Sequence, residues 1–252
     1  MRVPLPAAFL THPIAHRGYH LRALGCIENS AAAIRGAVAA GYGIEIDLQM
    51  SSDGVPMVFH DEMLDRLTGE AGLIHARPAA ELTDIVLKDS TDTIPTLALI
   101  LTLIAGRVPL LIEIKDQTMQ MTETDGRLEA AAVAALARYD GPVALMSFNP
   151  SCLAHLARLA PHLPRGLTTD AFVPADWSPL PPETCAHLRG IPDYDATQCS
   201  FISHHHRNLT APRVAELRAQ GAAVLCWTIR SPDEEAAARK IAQNITFEGY
   251  AA

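Results

Sequence analysis

Residues 43–60 have the sequence GIEIDLQMSSDGVPMVFH. In its first half, Glu45 and Asp47 alternate with aliphatic residues. This predicts a β-strand with both carboxylates on one face, about 6.5–7 Å apart at Cα. Two carboxylates that face the interior of a sheet are costly unless positive charge lies between them. A divalent cation with oxygen ligands is the obvious compensation.

The second half of this stretch predicts a tight β-hairpin. Asp53-Gly54 is typical of a two-residue turn between strands. With that turn, residue 52 pairs with residue 55, and Asp47 falls opposite His60. The hairpin therefore predicts that His60 lies beside Asp47. A slip of one residue in this register would turn the His60 side chain to the other face of the sheet.

The rest of the chain alternates short β-branched segments with Ala- and Leu-rich segments of helical period. The predicted strands are residues 13–16, 43–50, 56–60, 109–115, 143–148, 165–169, 200–203, 223–229 and 244–247. The predicted helices are residues 30–40, 96–105, 126–139, 151–159, 211–220 and 232–243. This alternation favours a parallel sheet covered by helices, of the size of a (β/α)₈ barrel. A doubly wound open sheet is the alternative, although no G-x-G-x-x-G motif follows the first strand.

Two segments interrupt this alternation within what we interpret as a single barrel domain, residues 1–252. Residues 61–95 are polar with little strand character, which favours a small insertion over one end of the strands. Residues 170–197 contain five prolines and predict a long loop. Trp177 in that loop is a weak candidate for part of a lid.

Composition and charge exclude several classes of protein. The 252 residues are 49% hydrophobic, which excludes a disordered chain. The net charge is −8 and the basic residues form no run longer than two, which argues against a nucleic-acid partner. The sequence contains no stretch of 18 uncharged apolar residues, so it predicts no transmembrane helix. The five cysteines are widely spaced without a C-x-x-C motif, as is typical of reduced thiols in the cytoplasm.

Charged residues also interrupt two other predicted strands. Glu113 and Lys115 alternate with isoleucines and therefore share a face. The first strand ends at His16 and Arg17, which is the end of a barrel where active sites lie. The three carboxylates are those of Glu45, Asp47 and Glu113. Such a set suits one Mg²⁺ or Ca²⁺ better than zinc.

The remaining polar groups predict metal-assisted attack on a phosphate ester. His16 and His60 suit a general acid and a general base. Arg17 and Lys115 suit a phosphate group, the arginine through its bidentate fork.

Other residues near the predicted strand ends are candidates for substrate contact. Phe148 and Trp227 end predicted strands and would line a pocket for the substrate. His204, His205 and His206 follow the strand at 200–203. One of these three histidines is a weaker candidate for contact with the substrate.

These motifs resemble the glycerophosphodiester phosphodiesterase family, and its bacterial cytosolic branch most closely. The matching stretches are A-H-R-G at 15–18, E-N-S at 28–30, the run from Glu45 to Asp61, L-D-R-L-T at 64–68, I-P-T-L at 94–97, I-E-I-K at 112–115, S-F at 147–148, L-P-R-G-L at 163–167 and W-T-I at 227–229. They cover nearly the whole chain, and the run at 45–61 with H-R-G upstream is highly specific.

The resemblance implies a distorted (β/α)₈ TIM barrel of the phospholipase-C-like phosphodiesterase type. It implies hydrolysis of glycerophosphodiesters to sn-glycerol 3-phosphate and an alcohol, with His16 and His60 as acid and base. The implied ligands of the divalent cation, Mg²⁺ or Ca²⁺, are Glu45, Asp47 and Glu113. The implied substrate-binding residues are Arg17, Glu28 and Lys115. Of these, Glu28 would lie near the metal and the substrate glycerol.

The chain also departs from the family pattern. Ile27 replaces the usual proline before Glu-Asn, and Arg230 stands where many relatives carry asparagine. The ending I-T-F-E-G-Y replaces the common I-x-T-D, and His20 and Arg22 lie in the variable segment before the E-N-S motif. These departures bear on substrate preference. They leave open a related phosphodiesterase that acts on lysophospholipids or cyclic phosphodiesters, and a non-catalytic binder of phosphodiesters.

Overall fold

The fold is a closed barrel of parallel strands with one antiparallel strand outside it. The computed structural model describes residues 2–252. Its strands are β1 Ile14–Ala15, β2 Gly43–Met50, β3 Pro56–Val58, β4 Leu110–Ile114, β5 Val143–Ser147, β6 Arg165–Thr169, β7 Phe201–His205, β8 Ala223–Ile229 and β9 Asn244–Phe247. In this described part of the chain, eight strands pair in parallel in the order β1-β2-β4-β5-β6-β7-β8-β9. Strand β3 pairs antiparallel with β2.

Helices cover the outside of the barrel and one of its ends. They are α1 Ala8–Thr11, α2 Ala31–Ala40, α3 Ala79–Leu82, α4 Leu97–Ile104, α5 Arg127–Leu136, α6 Pro150–Leu159, α7 Pro182–Gly190, α8 Pro212–Ala219 and α9 Pro232–Ala238. The predicted (β/α)₈ barrel is confirmed. The alternative of an open sheet is wrong, because β1 pairs with both β2 and β9 and closes the ring. Within residues 2–252, no helix has the length and apolar character needed to cross a membrane.

The barrel interior changes from apolar to charged along the strands. At the amino-terminal end, Leu111 and Phe201 pack with Phe9 of α1 in one buried cluster. Asn244 Nδ2 donates a hydrogen bond of 2.7 Å to the Phe9 carbonyl, which fixes α1 across this end of the barrel. Glu113 stands on the same face of β4 as Leu111, two residues further along. The charged groups therefore concentrate at the carboxyl end of the barrel.

The hairpin loop after β2 is one residue longer than the sequence predicts. The N–H of Ser51 donates to the carbonyl of Val55 at 3.0 Å, so residues 52–54 form a three-residue loop. Gly54 has a φ of +84°, and a left-handed residue is what typically ends a loop of this length. The Asp53-Gly54 pair therefore marks the turn correctly but not its length.

The extra loop residue changes the register of the hairpin. Phe59, not His60, is the residue that lies across from Asp47, with its N–H 3.1 Å from the Asp47 carbonyl. The predicted pairing of Asp47 with His60 is therefore wrong. Strand β3 ends at Val58, so His60 lies beyond the strand and its side chain does not have to follow the alternating directions of strand residues. It still lines the cavity that contains Asp47.

Residues 61–95 form an apolar cluster of their own beside the barrel. Helix α3 lies in this segment. The buried members of the cluster from this segment are Leu64, Leu67, Ile74, Ala79, Leu82, Ile85, Leu87 and Ile94. They pack against Met57 and Phe59 of the hairpin, which anchors the segment to β3.

The segment 170–197 is not the continuous loop that the sequence predicts. It contains helix α7, and a 3₁₀ turn follows at Pro192–Tyr194. Pro182 occupies the first helical position, where a fixed φ and a missing N–H fit well. The high proline content therefore conceals a helix that starts at a proline. The part before α7, residues 170–181, contains no helix or strand.

The barrel interior leaves no room for a side chain at Gly166. A Cβ at this position would lie 2.4 Å from the ring of Phe201, which is its register partner on β7. We expect Gly166→Ala to lower the free energy of unfolding by about 1–3 kcal/mol in denaturant titrations, because the core must shift to admit a methyl group. Gly69→Ala is the matched control, since a Cβ at Gly69 meets no atom within 4 Å. Equal effects of the two substitutions would contradict this account of the packing.

Candidate active site

Three carboxylates meet at the carboxyl end of the barrel. Asp47 on β2 lies in register beside Glu113 on β4, and Glu45 precedes Asp47 by two residues on the same face. One carboxylate oxygen from each of the three lies within 4.8 Å of the other two. None of the three residues is more than 5% exposed. They form a buried cluster of oxygen atoms, the ligand type that hard divalent cations prefer.

Two cations and one amide compensate part of this negative charge. Lys115 Nζ lies 2.9 Å from Asp47 and 2.6 Å from Glu113. Arg17 Nε lies 3.2 Å from Asp47, and Asn29 Nδ2 donates to the same carboxylate at 2.9 Å. Three ionised carboxylates against two cations would leave one negative charge in the cluster, which favours binding of a further cation.

The carboxylates differ in how strongly the protein favours their charged form. Burial, with the charges of Asp47 and Glu113, raises the pKa of Glu45 well above its ordinary value. Burial acts on Asp47 too, but Lys115 and His60 are among the groups that outweigh it and hold its pKa well below the ordinary value. Glu45 is therefore the carboxyl that gains most from an added cation.

A carboxylate beyond the last strand holds His16. The Nδ1 of His16 lies 2.6 Å from Glu248 Oε2. Glu248 also accepts a hydrogen bond of 2.8 Å from Arg230 Nε, and His20 Nε2 lies 3.7 Å away. Burial and the charge of Arg17 lower the pKa of His16 to about 4, against the opposing effect of Glu248. The imidazole of His16 is thus fixed in orientation and uncharged near neutral pH.

A second carboxylate holds His60 in the same way. The Nδ1 of His60 lies 2.6 Å from Asp61 Oδ1. Arg66 donates to Asp61 at 2.5 Å and to Glu28 at 2.8 Å. Glu28 in turn accepts a hydrogen bond of 2.5 Å from Arg17. A chain of alternating charges therefore connects the loop after β3 with the turn after β1.

The turn after β1 directs Arg17 into the carboxylate cluster. Arg17 and Gly18 both have left-handed backbone conformations, with φ of 55° and 81°. In this turn the Arg17 N–H donates to Glu45 Oε2 at 2.9 Å. A Cβ at Gly18 would lie 2.9 Å from the backbone of Ala33 on α2. Glycine is therefore required here both by its φ and by the close approach of a helix.

One cavity of about 880 Å³ contains most of the predicted site residues. Those that line it are His16, Arg17, Glu45, Asp47, His60, Glu113, Lys115, Phe148 and Trp227. Glu28 is the exception, because it lies behind Arg17 and pairs with Arg17 and Arg66. The rings of Phe148 and Trp227 meet edge to face, 5.5 Å between centroids.

The three consecutive histidines lie outside the lining of this cavity. His204 is buried, with Nδ1 2.8 Å from Thr169 Oγ1. His205 packs its ring against Trp227, 4.9 Å between centroids, and its Nδ1 lies 3.3 Å from Asp170. His205 therefore supports a residue of the cavity from behind rather than lining the cavity itself.

The sequence agrees with this geometry when it is compared with known protein families. Residues 16–245 match the sequence model of the Glycerophosphoryl diester phosphodiesterase family. This chain belongs to that family. The match includes every residue of the candidate site except Glu248, and the predicted assignment to phosphoric diester hydrolases is confirmed.

Individual members of the family show the extent of the similarity. A glycerophosphodiester phosphodiesterase of Caldanaerobacter subterraneus is 31% identical over 174 residues, which cover 65% of this chain and 69% of that protein. A phosphodiesterase of Oleispira antarctica, solved in complex with the product sn-glycerol-3-phosphate, is 28% identical with a TM-score of 0.75. That match covers 96% of this chain and 94% of the other. A glycerophosphodiester phosphodiesterase structure from Parabacteroides distasonis, 20% identical with a TM-score of 0.70 over 94% of this chain and 92% of that one, shows the shared fold.

Two members of the site are not evident from local sequence patterns. Glu248 is 232 residues away from His16 in the chain and meets it only because the barrel closes. The available signal is the altered ending I-T-F-E-G-Y, which places a carboxylate directly after β9. Arg66 lies in the L-D-R-L-T match, but its link between Asp61 and Glu28 depends on how residues 61–95 fold back over the barrel.

Glu248 should act on the reaction through His16. We expect Glu248→Gln to lower kcat for glycerophosphocholine by about tenfold to a hundredfold, because the imidazole loses its charged partner. The KM should change by less than about threefold, since Glu248 does not line the cavity. Steady-state kinetics across a pH series would measure both parameters.

Glu216→Gln is the matched control for this substitution. Glu216 is an exposed carboxylate of α8 that pairs with Arg213 at 3.1 Å, away from the cavity. We expect this variant to retain the kinetics and pH profile of the parent protein. Unchanged kcat and pH profile in Glu248→Gln would show that the contact with His16 has no role in positioning.

Proposed function

We propose that this protein hydrolyses glycerophosphodiesters to sn-glycerol 3-phosphate and an alcohol. The proposed cofactor is one divalent cation, Mg²⁺ or Ca²⁺, and the proposed general acid and base are His16 and His60. The observation that carries this proposal is the pair of histidines, each with Nδ1 on its own carboxylate, beside one buried carboxylate cluster. The product bound to the Oleispira antarctica relative supports the same product here.

The donor atoms at the site fit a hard divalent cation. Glu45, Asp47 and Glu113 offer oxygen ligands, which Mg²⁺ and Ca²⁺ prefer, whereas zinc favours histidine and cysteine. A cation held there would polarise a phosphoryl oxygen and offset the negative charge that develops on it. With two positive charges added, the cluster would carry one net positive charge, which complements the single negative charge of a phosphodiester.

We assign orientation of the phosphate to Arg17 and Lys115. Both side chains line the cavity next to the carboxylate cluster. Burial disfavours the charged form of Lys115, but Asp47 and Glu113 outweigh it and raise its pKa above the ordinary value. The ammonium group therefore stays charged and is already in place to stabilise charge on the phosphoryl oxygens.

We assign the two proton transfers to the histidines. Attack on phosphorus requires that the attacking hydroxyl lose a proton, and cleavage requires that the leaving alcohol gain one. The Nδ1 atoms of His16 and His60 are held by carboxylates, so Nε2 of each ring is the nitrogen left to exchange a proton with the substrate. One imidazole would accept the proton of the attacking hydroxyl, and the other would donate a proton to the leaving alcohol.

The metal requirement can be tested on glycerophosphocholine. We expect EDTA to abolish release of sn-glycerol 3-phosphate, and Mg²⁺ or Ca²⁺ to restore it. Glu113→Gln should raise the metal concentration for half-maximal activity by at least about tenfold, because the cluster loses one charged ligand. Glu129→Gln is the control, since Glu129 is an equally buried carboxylate on α5 that bonds Thr124 outside the cavity. Full activity in EDTA after extensive dialysis would refute the metal requirement.

The two histidines can be tested by substitution. We expect His16→Ala and His60→Ala each to lower kcat by about 10²–10⁴-fold, the usual contribution of a general acid or base. Isothermal titration with Mg²⁺ or Ca²⁺ should show metal binding retained in both variants. A parent protein that binds glycerophosphocholine but never cleaves it, with any metal, would instead favour the alternative of a non-catalytic binder.

We also propose that the protein functions in the cytoplasm as one catalytic domain spanning residues 1–252. All five cysteines are free thiols, which fits a reducing compartment. Cell fractionation with the native promoter would test the location. A single cooperative unfolding transition, seen equally by fluorescence and circular dichroism, would support the single domain.

A further inference from the structure

Part of the cavity lining is apolar, although the proposed glycerophosphodiester substrates are polar along their whole length. The loops after β4, β5 and β6 bring the polar residues Asp116, Asp176 and Ser178 to the cavity, together with five large apolar residues, Met119, Met121, Phe148, Trp177 and Leu180. We call the five apolar residues the apolar wall. The lining that follows β3 is mainly charged and comprises Asp61, Glu62, Asp65 and Arg66, beside the exposed Met63.

A carboxylate fixes the loop that carries the two methionines. Asp116 accepts hydrogen bonds from the backbone N–H of Gln120 at 3.1 Å and of Met121 at 2.8 Å. It also accepts one of 2.9 Å from the side chain of Asn149. Met119 and Met121 both have left-handed backbone conformations, with φ of 59° and 53°. The loop is therefore held in an unusual conformation that keeps the methionines at the cavity.

Another carboxylate fixes the tryptophan of the wall. Trp177 Nε1 donates to Asp170 Oδ2 at 2.9 Å, and Asp170 also pairs with His205 behind the wall. The indole ring packs against Phe148, 5.1 Å between centroids, and against Phe172 at 4.6 Å. Its position is thus set by a hydrogen bond on one edge and by aromatic contacts on its faces.

Four of the five wall residues belong to one apolar cluster, and the half-exposed Met119 is the exception. Met121, Phe148 and Trp177 pack against Phe172, Leu180, Cys185 and Leu188, the last two on α7. Helix α7 thus supports the wall from outside the barrel. Side chains held in this way need little further ordering when a ligand binds, so contact with an apolar ligand would retain most of its binding free energy.

The cavity is also large for a phosphodiester of glycerol. Its volume of about 880 Å³ is near the upper end of the range for drug-sized ligands. The carboxylate cluster, Arg17 and Lys115 account for the phosphate end of the cavity. The aromatic rings of Phe148 and Trp177 could contact a quaternary ammonium such as that of choline. The aliphatic residues Met119, Met121 and Leu180 remain without a matching group on glycerol, phosphate or a small polar alcohol.

We propose that the apolar wall binds one acyl or alkyl chain carried by the phosphodiester, so that lysophospholipids are the preferred substrate class. This proposal rests on the proposed phosphodiesterase function. The chain would lie on the wall while the phosphate lies at Arg17 and Lys115. The lining residues after β3, such as Asp61 and Arg66, are charged and offer no comparable apolar surface to a second chain, which disfavours phospholipids with two chains.

The reaction remains a hydrolysis and requires no further reagent. The P–O bond to the alcohol breaks, the phosphorus gains an oxygen from water, and the alcohol leaves with a proton. The product from a lysophospholipid is an acylglycerol 3-phosphate. The acyl chain can instead be carried by the alcohol, on the nitrogen of ethanolamine. The same bond then breaks, and the phosphate product is sn-glycerol 3-phosphate.

The first test compares substrates that differ only in the chain. We expect kcat/KM to rise at least about tenfold from glycerophosphocholine to its eight-carbon 1-acyl derivative, measured below the micelle concentration with Mg²⁺ or Ca²⁺ present. Burial of one methylene contributes up to about fourfold. A parallel series of glycerophospho-N-acylethanolamines distinguishes a chain on the glycerol from a chain on the alcohol. Equal kcat/KM for the substrates with and without a chain would overturn the proposal while leaving the phosphodiesterase function intact.

The second test changes the wall. Met119→Gln keeps the length of a half-exposed side chain but adds a polar amide, and Trp177→Ala removes the largest ring of the wall. Both should reduce the ratio of kcat/KM with a chain to kcat/KM without one by at least about threefold. Leu99→Gln is the matched control, because Leu99 is an equally exposed aliphatic residue on α4, outside the cavity. Retention of the parent ratio in both wall variants would contradict the assignment.

Binding can be measured independently of turnover. The chain has two tryptophans, Trp177 and Trp227, and both line the cavity. Titration of tryptophan fluorescence with methyl-, butyl- and octylphosphocholine, all phosphodiesters, should give a Kd that falls at least about tenfold from methyl to octyl. A Kd that is the same for all three would refute the chain site. Tighter octyl binding without hydrolysis of any substrate would refute the proposed function and retain the chain site.

Discussion

The structure depends on burying three carboxylates at one end of a barrel. Their oxygen atoms lie within 4.8 Å of one another, and a buried charge without a partner is destabilising by several kcal/mol. Lys115 and Arg17 reduce that cost. Each of these cations is itself held in position by contacts with the carboxylates. Lys115 comes directly after the end of β4, two residues beyond Glu113, and the Arg17 backbone is hydrogen bonded to Glu45. The same pairs that reduce the cost of burying the carboxylates therefore also position two cations for the proposed contact with a phosphate.

Both histidines are tied to this cluster through further charges. His60 connects through Asp61 and Arg66 to Glu28, and Glu28 meets Arg17. His16 precedes Arg17 in the chain and is held from the far end of the sequence by Glu248. Loops after β1, β3 and β9 thus hold each other in place at one end of the barrel. Displacing any one of them would move His16 or His60, the proposed proton-transfer groups. On that proposal the ion pairs serve to position these groups rather than to add stability independently.

The fold is largely predictable from the sequence, and the site is predictable where its residues are close together in the chain. Strands β2, β6, β8 and β9 occur at the predicted residues, because strand periodicity and turn residues are local signals. The hairpin register is wrong by one residue, since Asp-Gly marks a turn but not its length. Helix α7 is hidden by prolines that in fact start it. The contact of Glu248 with His16 depends on closure of the barrel, which no local pattern encodes.

The layered interior explains how chemistry and stability coexist in one barrel. Leu111 and Glu113 occupy the same face of one strand, yet the first packs in an apolar cluster closed by α1 and the second belongs to the site. Because the apolar layer at the amino-terminal end stabilises the strands, the residues at the carboxyl end need not contribute to the hydrophobic core. The cavity can therefore combine a charged side with an apolar side. These two surfaces come from different loops, so the proposed phosphate end could stay constant while the loops after β4, β5 and β6 adapt to the rest of the substrate.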